Sequence, residues 1–212
     1  MVAHGDVAPS DRELAASADL VIAADGGALA LERWQIVPRT LVGDFDSLGT
    51  ERAAAYRERG VDVVQFPVAK DQSDLEIAMR YALDARADDI VLLGILGGAR
   101  IDHALTNAML LADPAYRGHG VRAVYGGTAL RALHAGESVA LGGVAGDTVT
   151  LVPVRGDAVG VRTEGLRYPL NGQTLHFGKS LGLSNVIARS PARVSIEQGV
   201  VIVIEIAKEV GT

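Results

Sequence analysis

The chain has 212 residues and a net charge of −6, so it carries no basic footprint for nucleic acid. It contains no cysteine, which rules out disulfides and thiolate metal sites, and 49% hydrophobic against 4% aromatic residues leaves the core to Ala, Val, Leu and Ile. There is no signal-peptide pattern and no apolar run of membrane-spanning length, so no membrane partner and a cytoplasmic location are expected.

Residues 20–24 form a short apolar run, a predicted strand that ends in Asp25-Gly26-Gly27 and precedes a helical pattern over 28–36. Residues 40–43 repeat the arrangement, ending in Asp44-Phe45-Asp46-Ser47 ahead of a helix that begins near Glu51. The strand pattern at 61–66 leads to Lys70-Asp71-Gln72-Ser73-Asp74 and a helical run to about Arg86. Residues 90–96 lead to Gly97-Gly98 and a helical run over about 101–112, and 121–125 close the series. Strands alternating with helices predict an α/β domain, a parallel sheet with crossover helices. Ligands bind outside the carboxyl ends of such strands, so this fold would bring the four polar clusters together.

Gly126-Gly127-Thr128 reads as a junction. Beyond it the helical period gives way to short apolar segments at 129–134, 138–141, 148–152, 159–163, 194–196 and 200–206, punctuated by Gly, Pro and Asp. That pattern predicts a small all-β sandwich or barrel. The expected division is an α/β domain over 1–126 and a β-sandwich domain over 127–212.

Asp44 and Asp46 stand two positions apart, which in extended backbone aims both carboxylates at one face. Paired acids are relieved by a shared proton or a cation, and Mg²⁺, which takes oxygen ligands and completes its shell with water and phosphate, suits them. The plain alternative is an Asx turn in which the acids bond their own backbone. Asp25-Gly26-Gly27 is either a phosphate-binding strand-to-helix turn or an ordinary tight one. Ser73 and Glu76 have the spacing of a capping box, and Asp74 suits the first turn of a helix, whereas Lys70 and Asp71 fall outside it. Arg100 is placed to clamp a phosphate and Asp102 to fix a polar or cationic group, the alternative being a capped helix with Arg100 solvated.

In order, Ala24-Asp25-Gly26-Gly27-Ala28, Gly43-Asp44-Phe45-Asp46-Ser47, Lys70-Asp71-x-Ser73-Asp74 and Gly97-Gly98-x-Arg100-x-Asp102-His103 resemble the thiamine pyrophosphokinase family. So do Gly165-Leu166-Arg167-Tyr168-Pro169-Leu170, Gly182-Leu183-Ser184-Asn185 and Val194-Ser195-Ile196-Glu197-Gln198-Gly199, and the resemblance extends over nearly the whole chain. It implies transfer of the β,γ-diphosphoryl group of ATP to the hydroxyl of thiamine, releasing AMP, in a homodimer with sites at the subunit interface. Carried over by motif, Asp44, Asp46 and Asp74 hold Mg²⁺, with Asp25 near the metal and the phosphates, while Asp25, Gly26, Gly27, Lys70 and Asp71 meet ATP. Arg100 neutralises phosphate charge, Asp102 recognises the thiamine rings, and Ser184 and Asn185 hydrogen-bond the pyrimidine. A diphosphokinase for another heterocyclic alcohol such as a pterin, a glycosyltransferase, and a non-catalytic thiamine or nucleotide sensor are the alternatives.

The chain departs from the family pattern in places. Met1-Val2-Ala3-His4-Gly5 reads as a clipped first strand, Ala99 adds a residue before Arg100, Ser73 stands where Thr is common, and Val186 stands where an acid is often found. Trp34 and His103 are read as structural, and no aromatic platform for thiamine is assigned.

Overall fold

The computed structural model describes residues 1–69 and 71–208, which form two compact units. The first comprises Met1–Leu110 and His119–Gly126. Its strands are β1 (Ile22–Ala24), β2 (Thr40–Gly43), β3 (Asp62–Gln65), β4 (Asp89–Leu93) and β5 (Gly120–Tyr125). β1, β2 and β3 pair in parallel in that order, as do β4 and β5. Val2 forms parallel bridges to Ala23 on one side and Leu93 on the other. Val2 is buried and held in the sheet by its N–H to the Ile22 carbonyl at 2.9 Å, and the Ala3 N–H donates to the Leu93 carbonyl at 2.8 Å. The resulting order is β3-β2-β1-Val2-β4-β5. The chain winds outward to β3 and then returns to the far side of Val2, a reversal that opens a ligand crevice at the carboxyl ends of the strands.

The helices are α1 (Asp11–Ala16), α2 (Gly27–Trp34), α3 (Thr50–Glu58), α4 (Asp74–Asp84) and α5 (Ile101–Leu110). α2 packs on β1, α3 on β3, and α4 on β1 and β2, with Ala28 and Leu31 of α2 and Leu75, Ala78 and Met79 of α4 buried. Strands covered by helices need apolar residues at every position, and β1 and β2 are buried throughout. The sequence pattern did not predict α1. Its Asp11 is buried because its carboxylate accepts the N–H groups of Ala8 at 2.8 Å and Gly126 at 2.9 Å.

The second unit comprises Leu111–Gly118 and the chain from Gly127 onward. It holds β6 (Thr128–His134), β7 (Ser138–Ala140), β8 (Thr148–Pro153), β9 (Ala158–Glu164), β10 (Asn171–Leu175), β11 (Asn185–Val186), β12 (Arg193–Ser195) and β13 (Val200–Ile206). Antiparallel pairing gives one sheet in the order β11-β8-β13-β6 and another in the order β10-β9-β12-β7. Leu133, Val149, Leu151, Val201 and Val203 of the first sheet share one core with Val161, Leu175 and Val194 of the second. In the second sheet β7, β10 and β12 alternate between more and less exposed residues, as a sheet with one covered face does, whereas β8 and β13 of the first sheet are buried at most of their positions. The buried Glu205 is held by Arg131 at 3.0 Å and by the Gly142 and Gly143 N–H groups at 2.7 and 3.0 Å. No described helix is long and apolar enough to cross a membrane.

Candidate active site

Asp25 follows β1, Asp44 follows β2, and Asp74 opens α4. One carboxylate oxygen from each lies within 4.8 Å of the others. The parallel register Ala24↔Val42 sets the ends of β1 and β2 side by side, and Asp25 N–H donates to the Val42 carbonyl at 2.7 Å. Gly43 permits the approach, since a Cβ there would lie 2.9 Å from the Asp25 Cβ. Asp25 is 6% exposed, and its Oδ1 accepts the Leu48 N–H at 3.3 Å. Asp74 is placed by the capping box that the sequence spacing predicts: Ser73 Oγ accepts the Glu76 N–H at 3.2 Å, and Glu76 Oε2 accepts the Ser73 N–H at 2.8 Å. One oxygen of Asp74, Oδ1, is shielded from solvent.

Asp46 lies outside this group. Phe45 is buried and has φ of +66°, so the backbone turns between the two acids and does not hold them on one face. This corrects the extended-backbone expectation. Asp44 Oδ1 instead accepts the Asp46 N–H at 3.1 Å, an Asx turn, while the exposed Asp46 carboxylate accepts from Ser47 Oγ at 3.0 Å. Asp25 stands beside Asp44 at the carboxyl edge of the sheet, where the alternation of strands and helices predicts the polar clusters to meet, and the register between β1 and β2 sets how close they come.

Gly26 and Gly27 are both buried, and the space beside their α-carbons is filled from within the unit. A Cβ on Gly27 would meet the Val2 carbonyl oxygen at 2.0 Å, and one on Gly26 would meet the His4 ring at 2.6 Å. These glycines serve close helix–strand packing. Asp71 is exposed in the loop before α4, and Lys70 lies outside the described residues.

Arg100 and Asp102 form a bidentate pair, Nε to Oδ1 at 2.9 Å and Nη2 to Oδ2 at 2.6 Å, with both side chains exposed. Hydrogen bonding from Arg100 holds the Asp102 carboxyl well below the usual carboxylate range, and the same bond pushes the guanidinium up. In the second unit Ser184 is exposed, and its N–H donates to Thr150 Oγ1 at 3.0 Å. Asn185 is buried, with its amide committed to backbone: Nδ2 donates to the Tyr168 carbonyl at 2.6 Å, and Oδ1 accepts the N–H groups of Tyr168 at 3.1 Å and Val186 at 2.8 Å.

Among the described residues, five non-glycine positions have positive φ. Gln35 and Arg86 follow helix ends, where a left-handed residue is an ordinary cap. The others, Asp25, Phe45 and Ser184, fall in motifs marked from the sequence, and backbone strain of this kind concentrates at functional sites.

Residues 12–123 match the family model for the thiamin pyrophosphokinase catalytic domain, and residues 138–201 match that for the thiamin pyrophosphokinase vitamin B1 binding domain. A thiamine pyrophosphokinase of Bacillus subtilis (strain 168) is 28% identical over 185 residues, 87% of this chain and 86% of its own length. The crystal structure of a Bacillus subtilis thiamine pyrophosphokinase superposes with a TM-score of 0.83 at 27% identity, covering 98% of this chain and 97% of that one. That of a Geobacillus thermodenitrificans thiamin pyrophosphokinase also gives 0.83, at 26% identity, covering 99% and 97%.

Proposed function

The chain belongs to the thiamin pyrophosphokinase family, and from that premise we propose that Asp25, Asp44 and Asp74 form the centre at which its first unit binds ATP with Mg²⁺. Its reaction is transfer of the diphosphoryl group of ATP to the hydroxyl of thiamine, giving thiamine diphosphate and AMP. The second unit, proposed to be a β-sandwich because its two sheets share one core, supplies the thiamine surface.

The carrying observation is the convergence of three carboxylate oxygens within 4.8 Å at the carboxyl edge of a parallel sheet. Acids this close repel one another, and an all-oxygen set of this kind fits a hard divalent cation. When bound, Mg²⁺ supplies positive charge against the charge on the transferring phosphoryl groups. The protein's own contribution is positioning. The β1–β2 register and the α4 cap fix the three acids, with Asp46 and Asp71 adding negative charge from exposed positions nearby in sequence. Arg100 exchanges Asp102 for phosphate oxygens, where a bidentate guanidinium is effective. Asp102, thus released, meets the cationic thiamine. Lys70 is assigned to the phosphates by motif alone.

We also propose a homodimer with its sites at the interface. No described residue of α5 is buried, and Ile101, Leu105 and Met109, spaced by four, are 82%, 59% and 42% exposed. Positions spaced by four share one helix face, and a second copy covering that stripe would remove it from water.

The test is product analysis of the purified protein with Mg²⁺, ATP and thiamine. Equal, EDTA-sensitive yields of thiamine diphosphate and AMP are expected. AMP without thiamine diphosphate would reject thiamine as the acceptor.

A further inference from the structure

We infer that a recess between the end of β3 and one face of α4 receives the purine base of ATP, with Tyr81 and Gln72 holding it. This rests on the reading that the first unit binds ATP at the acid group.

The recess has a volume of about 520 Å³, within the range of small-molecule sites. Phe66, which directly follows β3, lines it from the sheet, and Asp71 and Gln72 line it from the loop before α4. Ile77, Arg80, Tyr81 and Asp84 line it from α4, where residues three and four apart share one face. Two points of main chain tie it to the acid group. The Phe66 N–H donates at 3.0 Å to the carbonyl of Gly43, the residue before Asp44. Gln72 stands two positions before Asp74.

The lining suits an uncharged planar group better than a phosphate. Among the described residues it carries the Asp71 and Asp84 carboxylates and one guanidinium, that of Arg80, whose Nη2 donates to Gln72 Oε1 at 3.1 Å. Two acids against one cation repel a phosphate. The bond from Arg80 commits the Gln72 oxygen, so what the amide presents to a ligand is its N–H donors. Adenine offers ring nitrogens as acceptors and an exocyclic amine as donor, the complement of an amide N–H and a carboxylate. Phe66 and Tyr81 supply aromatic surface on which a base stacks.

The position along the sheet agrees with the direction of transfer. The carboxyl edge runs from Phe66 after β3, through Asp44 after β2 and Asp25 after β1, to Arg100 and Asp102 at the start of α5, which follows β4. Thiamine is assigned to the Asp102 end. Its hydroxyl oxygen bonds to the β-phosphorus of ATP as the bond from that phosphorus to the α,β-bridging oxygen breaks. The electron pair leaves with AMP, and the hydroxyl proton passes to solvent. Attacking and leaving oxygens lie roughly in line, so AMP departs on the side of the acid group opposite the acceptor. That is the β3 side, where the recess lies.

The experiment is equilibrium binding of AMP and of pyrophosphate, each with Mg²⁺, to wild-type protein and to Tyr81→Ala, Tyr81→Phe and Gln72→Ala. Steady-state kinetics with ATP and thiamine varied separately accompany it. Tyr81→Ala is expected to weaken AMP binding and raise the ATP KM about tenfold, the loss of one stacking contact. Pyrophosphate, which has no base, and the thiamine KM stay within about twofold of wild type. Tyr81→Phe keeps the ring and binds AMP as wild type does. Gln72→Ala lies outside the helix and weakens AMP without moving pyrophosphate. Unchanged AMP binding in both alanine variants, or equal weakening of AMP and pyrophosphate, overturns the recess as a base site. Binding does not depend on turnover. Wild-type protein that forms no thiamine diphosphate rejects the functional reading, whereas the comparison of AMP with pyrophosphate still decides the recess.

Discussion

Gly43 lies against Asp25 so closely that the first side-chain atom of any other residue would fall 2.9 Å from the Asp25 Cβ and 3.2 Å from its Cα. The atoms it would meet are main chain or the first side-chain carbon, so no rotamer change relieves the contact. Gly43→Ala is expected to displace Asp25 from Asp44 and Asp74, lowering kcat about 100-fold at a stability cost of about 1–3 kcal/mol. Kinetics alongside a denaturation curve check this, and a kcat within about twofold of wild type would contradict it.

The acid cluster separates two residues that the motif alone treats alike. Asp44→Asn and Asp74→Asn each remove a carboxylate from the group of three, and a loss of about 10²–10³-fold in kcat is expected, together with a higher Mg²⁺ requirement. Asp46→Asn removes an exposed acid bonded to Ser47, and a loss of about tenfold or less is expected, well short of the cost of one preorganised contact. Equal losses at positions 44 and 46 would contradict the assignment of Asp25 in place of Asp46.

The apolar face of α5 gives the dimer proposal a direct check. Leu105 is 59% exposed at the middle of the stripe, so a charge there leaves the protomer core untouched. Leu105→Lys is expected to convert a dimer to a folded monomer in sedimentation analysis, with turnover falling alongside. A wild-type monomer, or a Leu105→Lys dimer, would contradict the proposal.

Tyr56 gives a pH signature. Burial, then the nearby Glu32 carboxylate, push its phenol from 10.0 up to about 12. Between those values the unfolded chain gives up the proton first. The stability contributed by the neutral phenol is complete below about pH 10 and is lost as the pH climbs toward 12. Tyr56→Phe is expected to flatten this alkaline limb in denaturant melts, and an unchanged limb would contradict the assignment.

Strands with strong apolar runs were legible from sequence: β2 and β13 occupy 40–43 and 200–206, as their patterns predict. The elements that escaped had little pattern to show. α1 is six residues long without a side-chain cap, β10 reads Asn-Gly-Gln-Thr-Leu with shifts in its register, and β11 is two residues long. In the site, Ser73 and Glu76 were legible because capping is local. The alternation of strands and helices placed Asp25 and Asp44 at one edge of the sheet, but their separation was not legible, because it is set by strand register and a missing Cβ, and neither leaves a mark within one motif. Phe45 illustrates the limit from the other side: its left-handed turn defeats an alternation rule that holds only in extended chain.

Movement of the whole β,γ-diphosphoryl group in one transfer is checked by supplying γ-phosphoryl-labelled ATP with Mg²⁺ and thiamine and identifying the labelled products from wild-type protein and from Asp74→Asn. Label is expected in thiamine diphosphate, with an equal amount of unlabelled AMP, and both products are expected to be lost in Asp74→Asn. Labelled thiamine monophosphate with ADP, or label only in free phosphate, would contradict it.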